Sequence, residues 1–159
     1  MIERGQALPD RQLTIMGREG PTPVSSVELC REGLSVIFAV PGAFTPTCSA
    51  QHLPGFIDRA DEFAAKGVDR LICLAVNDVF VMQAWGRQSG VDDRITMAAD
   101  GNGDLARALG LEMDASAFGM GTRCQRFALV IRDGIVEDVF LESPGEFRVS
   151  SAEYLIERL

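Results

Sequence analysis

One stretch of the sequence organises the rest: Pro41-Gly42-Ala43-Phe44-Thr45-Pro46-Thr47-Cys48-Ser49. It follows a nearly continuous apolar run, residues 34–40, which predicts a strand buried on both faces. Thr45 is expected to be the N-cap of a helix, because its hydroxyl can accept a hydrogen bond from a free amide, and Pro46 to be its first residue. Cys48 then lies at the third helical position, where the helix dipole and the unpaired amides favour the thiolate, the reactive form of cysteine.

Strand and helix signals alternate on the C-terminal side of this stretch. Apolar residues recur at helical spacing over residues 53–66, and Pro54 is expected to kink that helix one turn in. A second buried strand follows, and then a helix capped by Asn77 or Asp78. Beyond these, the sequence predicts a short strand at 95–99, a short helix at 104–109, a loop at 111–122, a hairpin at 126–140 turned by Asp133-Gly134, and a C-terminal helix opened by a capping box at 150–153.

The N-terminal side predicts a small addition to this core. Residues 13–16 alternate in polarity and precede two glycines and two prolines, which indicates a strand or hairpin and a loop. Ser25 or Ser26 can cap a short helix that ends at Gly33. Strand–helix–strand followed by a hairpin and a helix is the thioredoxin-like arrangement. We therefore expect a single α/β domain over residues 1–159, with a central mixed sheet flanked by helices and an N-terminal extension.

Length and charge narrow the classes of function. With 159 residues, 47% of them hydrophobic and 24% charged, the chain suits one soluble globular domain with a full core. The 15 Lys and Arg residues against 23 Asp and Glu residues give a net charge of −8, so the surface lacks the positive field that nucleic acid or anionic lipid requires. The first residues are polar and no apolar run could span a membrane, which predicts a cytoplasmic protein.

The four cysteines have to be considered one at a time. Cys30, Cys48, Cys73 and Cys124 are far apart in the sequence, and the chain has one histidine, so no zinc or iron–sulfur site is expected. In a reducing compartment the thiols should be free, and the ordinary role of each is that of a small buried hydrophobic residue. No flavin, haem or nicotinamide motif is present, and no cofactor is expected.

Three strings carry a close resemblance to one family. They are VPGAFTPTCSAQHLPGF at 40–56, LAVNDVFVMQAW at 74–85 and RCQRFALVIRDG at 123–134. Together they resemble the type II peroxiredoxins, the group that includes the plant type II and the mammalian atypical two-cysteine enzymes, over nearly the whole chain. The resemblance implies a thioredoxin-like fold and thiol-dependent reduction of hydrogen peroxide and organic hydroperoxides.

The resemblance also implies the roles of four residues. Cys48 attacks the peroxide, the hydroxyl of Thr45 orients it, Pro41 shields the site and Arg126 completes it. An arginine beside the sulfur favours the thiolate, and its planar fork can stabilise charge that develops on the oxygens as the O–O bond breaks. Arg123 is the neighbouring alternative, and spacing alone does not choose between the two arginines.

How the oxidised sulfur is reduced is the open step. The mammalian atypical enzyme uses a cysteine near its C-terminal end, where this chain has Val149. Cys73 matches the position, 25 residues after Cys48, that some type II enzymes are thought to use, but it lies within a predicted buried strand. Cys124, Cys30 and an external thiol are the other candidates. We favour a one-cysteine cycle with glutathione, glutaredoxin or thioredoxin as reductant, because a disulfide needs Cα atoms within about 7 Å.

Two other functions deserve comparison. His52 lies four residues after Cys48, which would suit the dyad of a Cys–His hydrolase. A redox sensor would use the same cysteine, but would react once and stay oxidised without a partner. The family resemblance further suggests a homodimer, in which Phe44 and Phe118 supply an apolar contact and line the substrate pocket near the active site.

Overall fold

A seven-stranded mixed sheet forms the centre of the molecule. The computed structural model describes every residue, Met1–Leu159. The strands are β1 (Gln12–Gly17), β2 (Gly20–Ser25), β3 (Leu34–Ala39), β4 (Val68–Ala75), β5 (Thr96–Ala99), β6 (Glu112–Asp114), β7 (Thr122–Cys124), β8 (Phe127–Arg132) and β9 (Ile135–Leu141). The strands of the large sheet lie in the order β2-β1-β5-β4-β3-β8-β9, and β6 and β7 form a separate pair. The α-helices are α1 (Ser26–Leu29), α2 (Leu53–Asp58), α3 (Ala60–Ala65), α4 (Val79–Ser89), α5 (Asp104–Leu109) and α6 (Ala152–Ile156).

Strand β3 occupies the position that its apolar sequence predicts. All six of its residues are buried, and it pairs in parallel with β4 and antiparallel with β8. Strand β5 pairs in parallel with the other side of β4, and the β1–β2 hairpin extends the sheet beyond β5. The predicted α/β fold, with a central mixed sheet flanked by helices and an N-terminal extension, is confirmed.

Each face of the sheet carries its own hydrophobic core. Helices α2, α3, α4 and α6 cover one face, and α1 and α5 contribute to the other. Successive residues of β3 alternate between the two, so that Phe38 packs in the first core and Ile37 in the second. Cys48 and Cys73 belong to the first core. These two cysteines therefore lie on the same side of the sheet.

The N-terminal segment forms a hairpin, one of the two predicted alternatives, and the segment predicted as a loop at 111–122 contains strands. Pro21 and Pro23 lie in β2, which is an edge strand, where a residue without an N–H is tolerated. Residues 111–122 hold β6, the start of β7 and a 3₁₀ turn at Ser116–Phe118. Each strand of that pair has three residues, which is too short for a two-residue period to be recognised.

The helical termini differ from prediction in detail. Asp78 caps α4, as one of the two candidates, by accepting a bond from the amide of Val81 at 2.9 Å. The C-terminal helix is capped by Ser151, whose hydroxyl accepts a bond from the amide of Tyr154. The predicted capping box that starts at Ser150 is wrong, because the hydroxyl of Ser150 donates to Glu142 and Glu153 pairs with Arg59. No helix of the structure is long and apolar enough to cross a membrane.

Candidate active site

Cys48 lies at the start of the helical segment that follows β3. Thr45 directly precedes that segment, and Pro46 and Thr47 are its first two residues, so Cys48 is the third. From Cys48 to His52 the backbone forms a wide π-helical turn, in which the amide of Leu53 donates to the carbonyl of Cys48. The sequence predicted a kink at Pro54, but the change in helix type comes earlier, between His52 and Leu53. Turns of this kind are rare and frequent at functional sites.

The guanidinium of Arg126 contacts the sulfur of Cys48. Its Nη2 donates a hydrogen bond to Sγ at 3.1 Å, and its carbon lies 5.7 Å from the centre of the Phe147 ring. Arg123 instead donates to two backbone carbonyls, those of Met120 and Val76, both at 2.8 Å. Of the two arginines that the sequence left open, Arg126 is therefore the one that can stabilise a thiolate at this site.

His52 is bound on both ring nitrogens. Nη1 of Arg126 donates to Nδ1 at 2.7 Å, and Nε2 lies 2.9 Å from the carbonyl oxygen of Ser150. Because arginine only donates and a carbonyl only accepts, the proton of the neutral ring is on Nε2. Burial, and then the charge of Arg126, lower the pKa of His52 to about 3, against the opposing effect of the Ser150 bond.

These contacts contradict the interpretation of His52 as the base of a hydrolase. A Cys–His dyad needs a ring nitrogen that accepts the proton of the thiol. In this structure the only lone pair on the ring is bound to Arg126, and no hydrogen bond joins His52 to Cys48. The spacing of four residues did place both side chains in the same buried site. Arg126 binds both of them, so His52 supports the arginine and does not act as a base for the thiol.

The loop before Cys48 is tied to the neighbouring elements. The hydroxyl of Thr45 donates to the carbonyl of Gly42 at 2.7 Å, so the predicted N-cap bond to a helical amide is absent. The amide of Ala43 donates to the side chain of Asn77 at 2.9 Å. Pro41, at the start of the loop, is half-buried. The oxygen of Thr45 keeps lone pairs that can accept a bond from a ligand.

The first helical turn is also held from its outer side. Nε1 of Trp85, a buried residue of α4, donates to the hydroxyl of Ser49 at 3.0 Å. The ring of Trp85 lies 6.4 Å from that of Phe44. Phe44 has a left-handed backbone with φ of 64° and leaves 47% of its surface exposed. The residues on either side of Cys48 are thus positioned by α4.

The remaining cysteines are buried thiols. Burial, with the neighbouring cysteines adding to it, raises the pKa of Cys73 well above its usual value. Burial, followed by the charge of Asp100, raises the pKa of Cys124 to about 12, and its S–H donates to the carbonyl of Val40. Burial also raises the pKa of Cys30. All four cysteines of the chain are free.

Sequence reasoning missed the residues that support Arg126 from behind. Glu142 and Ser150 are buried and bonded to each other, and Phe147 packs on the ring of His52 at 4.9 Å between centres. Ser150 was interpreted as part of a helix cap. The position of Glu142 directly after a strand was the one available signal in the sequence. Its partners, residues 148–150, lie in an irregular loop whose sequence has no periodic pattern, so they could not be identified in advance.

Comparison with known proteins agrees with this geometry. The model of the Redoxin family matches residues 3–156. The chain is 44% identical to peroxiredoxin-2B of Arabidopsis thaliana over 99% of this chain and 98% of that protein. It is 48% identical to the chloroplastic peroxiredoxin-2E-2 of Oryza sativa subsp. japonica, over 99% of this chain and 72% of that protein. The crystal structure of reduced Prx3 from Vibrio vulnificus in complex with hydrogen peroxide superposes with a TM-score of 0.96 at 46% identity, covering 99% of both chains. The chain therefore belongs to the type II peroxiredoxins, the thiol-dependent peroxidases of the redoxin family.

Proposed function

We propose that Cys48 is the residue that reduces the hydroperoxide, with Arg126, Thr45 and Pro41 as its partners. The observation that carries the proposal is the 3.1 Å contact from Nη2 of Arg126 to the sulfur of Cys48. A guanidinium keeps its charge at all physiological pH values, so it stabilises the thiolate without a proton transfer. The binding of hydrogen peroxide by Prx3 of Vibrio vulnificus supports the same substrate for this chain.

The chemistry requires a linear arrangement of sulfur and two oxygens. The thiolate attacks the nearer oxygen of ROOH, an S–O bond forms, and the O–O bond breaks with its electron pair on the departing oxygen, which leaves as ROH after it takes a proton. Cys48 becomes a sulfenic acid. N–H groups of Arg126 can donate to the oxygens as charge develops there.

Thr45 contributes as an acceptor in this scheme. Its proton is already donated to Gly42, so the oxygen presents lone pairs to the O–H of the peroxide. Every hydroperoxide has at least one O–H next to the O–O bond, whatever the rest of the molecule is. Thr45 would therefore hold hydrogen peroxide and organic hydroperoxides in the same orientation, while the half-buried Pro41 limits the access of water.

For the return of Cys48 to the thiol we propose an external reductant. A thiolate of glutathione, or of glutaredoxin or thioredoxin, attacks the sulfenic sulfur, water leaves, and a second thiol resolves the mixed disulfide. Cys73 is a poor internal partner, because it pairs with Phe38 on β3 and Met97 on β5, so that both neighbouring strands hold its backbone. Its raised pKa also leaves little of the thiolate that must attack.

We further propose that the chain forms a homodimer through an aromatic surface beside the site. Phe44, Phe80 and Phe118 expose 47%, 64% and 81% of their surfaces. Phe80 is on α4, which also carries the Trp85 that contacts Phe44. Aromatic side chains are enriched at protein interfaces, and exposed apolar surface of this kind marks a contact site.

The deciding experiment follows peroxide consumption by purified protein with two reductant systems. We expect turnover with glutathione plus glutaredoxin, and none with the Cys48→Ser variant under the same conditions. Turnover only with thioredoxin and its reductase would replace the proposed reductant but keep the peroxidase. A Cys48→Ser protein with full turnover would refute the assignment of the reacting residue. A single equivalent of peroxide consumed with either reductant would favour a redox sensor.

A further inference from the structure

The guanidinium of Arg126 is held from its far side by a chain of buried hydrogen bonds. Nη2 faces the sulfur of Cys48, whereas Nη1 donates to Nδ1 of His52 at 2.7 Å. Nε2 of His52 donates in turn to the carbonyl of Ser150 at 2.9 Å. His52 and Ser150 are fully buried, so water does not compete for these bonds. The orientation of the arginine therefore depends on the position of the Ser150 carbonyl.

Glu142 fixes that carbonyl. Its Oε2 accepts four hydrogen bonds, from the amides of Arg148, Val149 and Ser150 at 2.8, 2.9 and 2.8 Å and from the hydroxyl of Ser150 at 2.7 Å. Desolvation is the largest single influence on the pKa of Glu142 and raises it, but the hydrogen bonds from residues 148–150 together lower it. The carboxylate is therefore charged at neutral pH, and one oxygen organises three consecutive residues.

The chain of contacts closes on itself. The backbone amide of Glu142 donates to the carbonyl of Arg126 at 3.1 Å, where β9 ends beside the start of β8. Glu142 is thus anchored by its backbone to the same residue whose side chain it supports through Ser150 and His52. A movement of any member of this ring is transmitted to the guanidinium, because every link is a short hydrogen bond in a packed interior.

We propose that His52 and Glu142 are positioning residues of the peroxidase, which hold the guanidinium of Arg126 against the sulfur of Cys48 through the carbonyl of Ser150. This inference rests on the proposed roles of Cys48 and Arg126. An arginine fork has five N–H donors and no acceptor, so it needs an acceptor on its far side to keep one orientation. The neutral ring of His52 supplies that acceptor.

Substitutions of His52 separate positioning from packing. His52→Phe keeps an aromatic ring beside Phe38, Phe56 and Phe147 but removes both hydrogen bonds. His52→Asn restores an acceptor near the position of Nδ1. We expect the second-order rate constant for hydrogen peroxide to fall about 10- to 100-fold in H52F, because a misaligned guanidinium no longer orients the two oxygens in the transition state. The rate should recover in part in H52N.

A second reaction of Cys48, its alkylation by iodoacetamide, gives a reference rate. Alkylation by iodoacetamide needs the thiolate but no aligned pair of oxygens. A guanidinium that stays near the sulfur in a changed orientation still favours the thiolate, so the alkylation rate should stay within about threefold of wild type in H52F. A residue with a merely structural role would change the two rates together. The ratio of peroxide rate to alkylation rate is therefore the measured quantity, and we expect it to fall.

Glu142→Gln tests the other end of the chain with a matched control. The amide keeps the shape of the side chain but loses the charge that holds four donors, and we expect the peroxide rate to fall about tenfold. Glu146→Gln makes the same change in the same segment, where the carboxylate has only a 3.8 Å ion pair with Arg148, and should leave the rate unchanged.

The outcomes are distinct. An unchanged ratio of the two rates in H52F and E142Q would overturn the proposal, as would equal losses in E142Q and E146Q. If H52F does not fold, H52N and E142Q still measure the same ratio. Full peroxidase activity of Cys48→Ser would contradict the proposed function. This outcome differs from an unchanged ratio in H52F, which contradicts only the positioning role of His52.

Discussion

Arg126 donates a hydrogen bond to the sulfur of Cys48 at 3.1 Å, although 78 positions separate the two residues in the sequence. The antiparallel pairing of β3 with β8 accounts for this contact. Ala39, at the end of β3, pairs with Phe127, at the start of β8. The helical segment that leaves β3 and the residue that precedes β8 are therefore brought to the same edge of the sheet.

The first prediction concerns this contact. Arg126→Ala should slow the reaction with hydrogen peroxide by about 10²-fold or more, because the sulfur loses the cation that favours the thiolate and the transition state loses its donors. Arg126→Lys should recover only part of the rate, since one ammonium group cannot bind both the sulfur of Cys48 and the ring of His52. Stopped-flow measurement of single-turnover oxidation checks both expectations.

Arg123→Ala is the control for this prediction. Arg123 bonds the carbonyls of Met120 and Val76 and has no bond to the sulfur, so its loss should affect the rate less than the loss of Arg126. Equal or reversed losses in the two alanine variants would mean that the catalytic arginine has been assigned wrongly.

The second prediction concerns the absence of an internal disulfide. After treatment with peroxide and no added thiol, mass spectrometry should find Cys48 as sulfenic acid or a more oxidised acid, and no dominant Cys48–Cys73 bridge. Cys73 shares a core with Cys48, but its backbone is paired on both sides in the sheet. Burial also raises the pKa of Cys73, so little of its thiolate is present to attack the oxidised sulfur of Cys48.

Cys73→Ala should accordingly keep full turnover with glutathione and glutaredoxin. Alanine fills most of the same buried space without a polar atom, so the variant is expected to fold. A loss of turnover in Cys73→Ala, together with a Cys48–Cys73 bridge in the wild type, would replace the one-cysteine cycle by a disulfide cycle.

The strand and helix pattern near Cys48 was predictable, because buried strands and helix starts have strong local signals. The run at 34–40 indicated β3, and Pro46 marked the first helical residue. The hairpin at Asp133-Gly134 was also predictable, and both residues have positive φ, of 50° and 81°. These features depend on neighbours in the sequence.

The partners of Arg126 depend on tertiary contacts and could not be read from the sequence. The position of Glu142 directly after a strand does not by itself distinguish it from a surface glutamate, and Ser150 resembles a helix cap next to Ser151. The role of His52 stayed open for a related reason, because spacing placed it on the face of Cys48 but could not indicate that an arginine occupies its free lone pair. The bonds of His52 join it to Arg126 and to Ser150, which are 74 and 98 positions away in the sequence, and the carboxylate of Glu142 binds residues 148–150 of an irregular loop.

The third prediction tests the aromatic surface. Phe118→Asp should convert the proposed dimer to a monomer, because it places a charge in an apolar interface. Ile135→Asp is the matched control, since Ile135 is also an exposed apolar side chain, at 43%, but begins β9 and is not one of the three phenylalanines that form the proposed interface. Sedimentation velocity measures both. A wild-type monomer, or equal effects of the two substitutions, would contradict the proposed interface.

The fourth prediction is a pH dependence of stability that belongs to His52. The pKa of this buried ring is lowered to about 3 in the folded protein, whereas the ordinary pKa of histidine is 6.5. Below that ordinary pKa the unfolded chain binds a proton that the folded chain does not, so unfolding becomes more favourable as the pH falls from about 6.5 towards 3. Above pH 7 the residue is neutral in both states and contributes no such dependence.

The size of the effect can be measured by difference. From the two pKa values, the wild type should lose about 2 kcal/mol of unfolding free energy between pH 7 and pH 5 through His52 alone. His52→Phe has no group that titrates at this position, so its loss of unfolding free energy between pH 7 and pH 5 should be smaller than that of the wild type by about 2 kcal/mol. The contributions of the carboxyl groups, which both proteins share, cancel in this difference. Urea unfolding at the two pH values supplies the four free energies. Identical pH dependences would mean that His52 can be protonated in the folded state, and the ring would then have to release Arg126, because an imidazolium has no lone pair to accept its N–H.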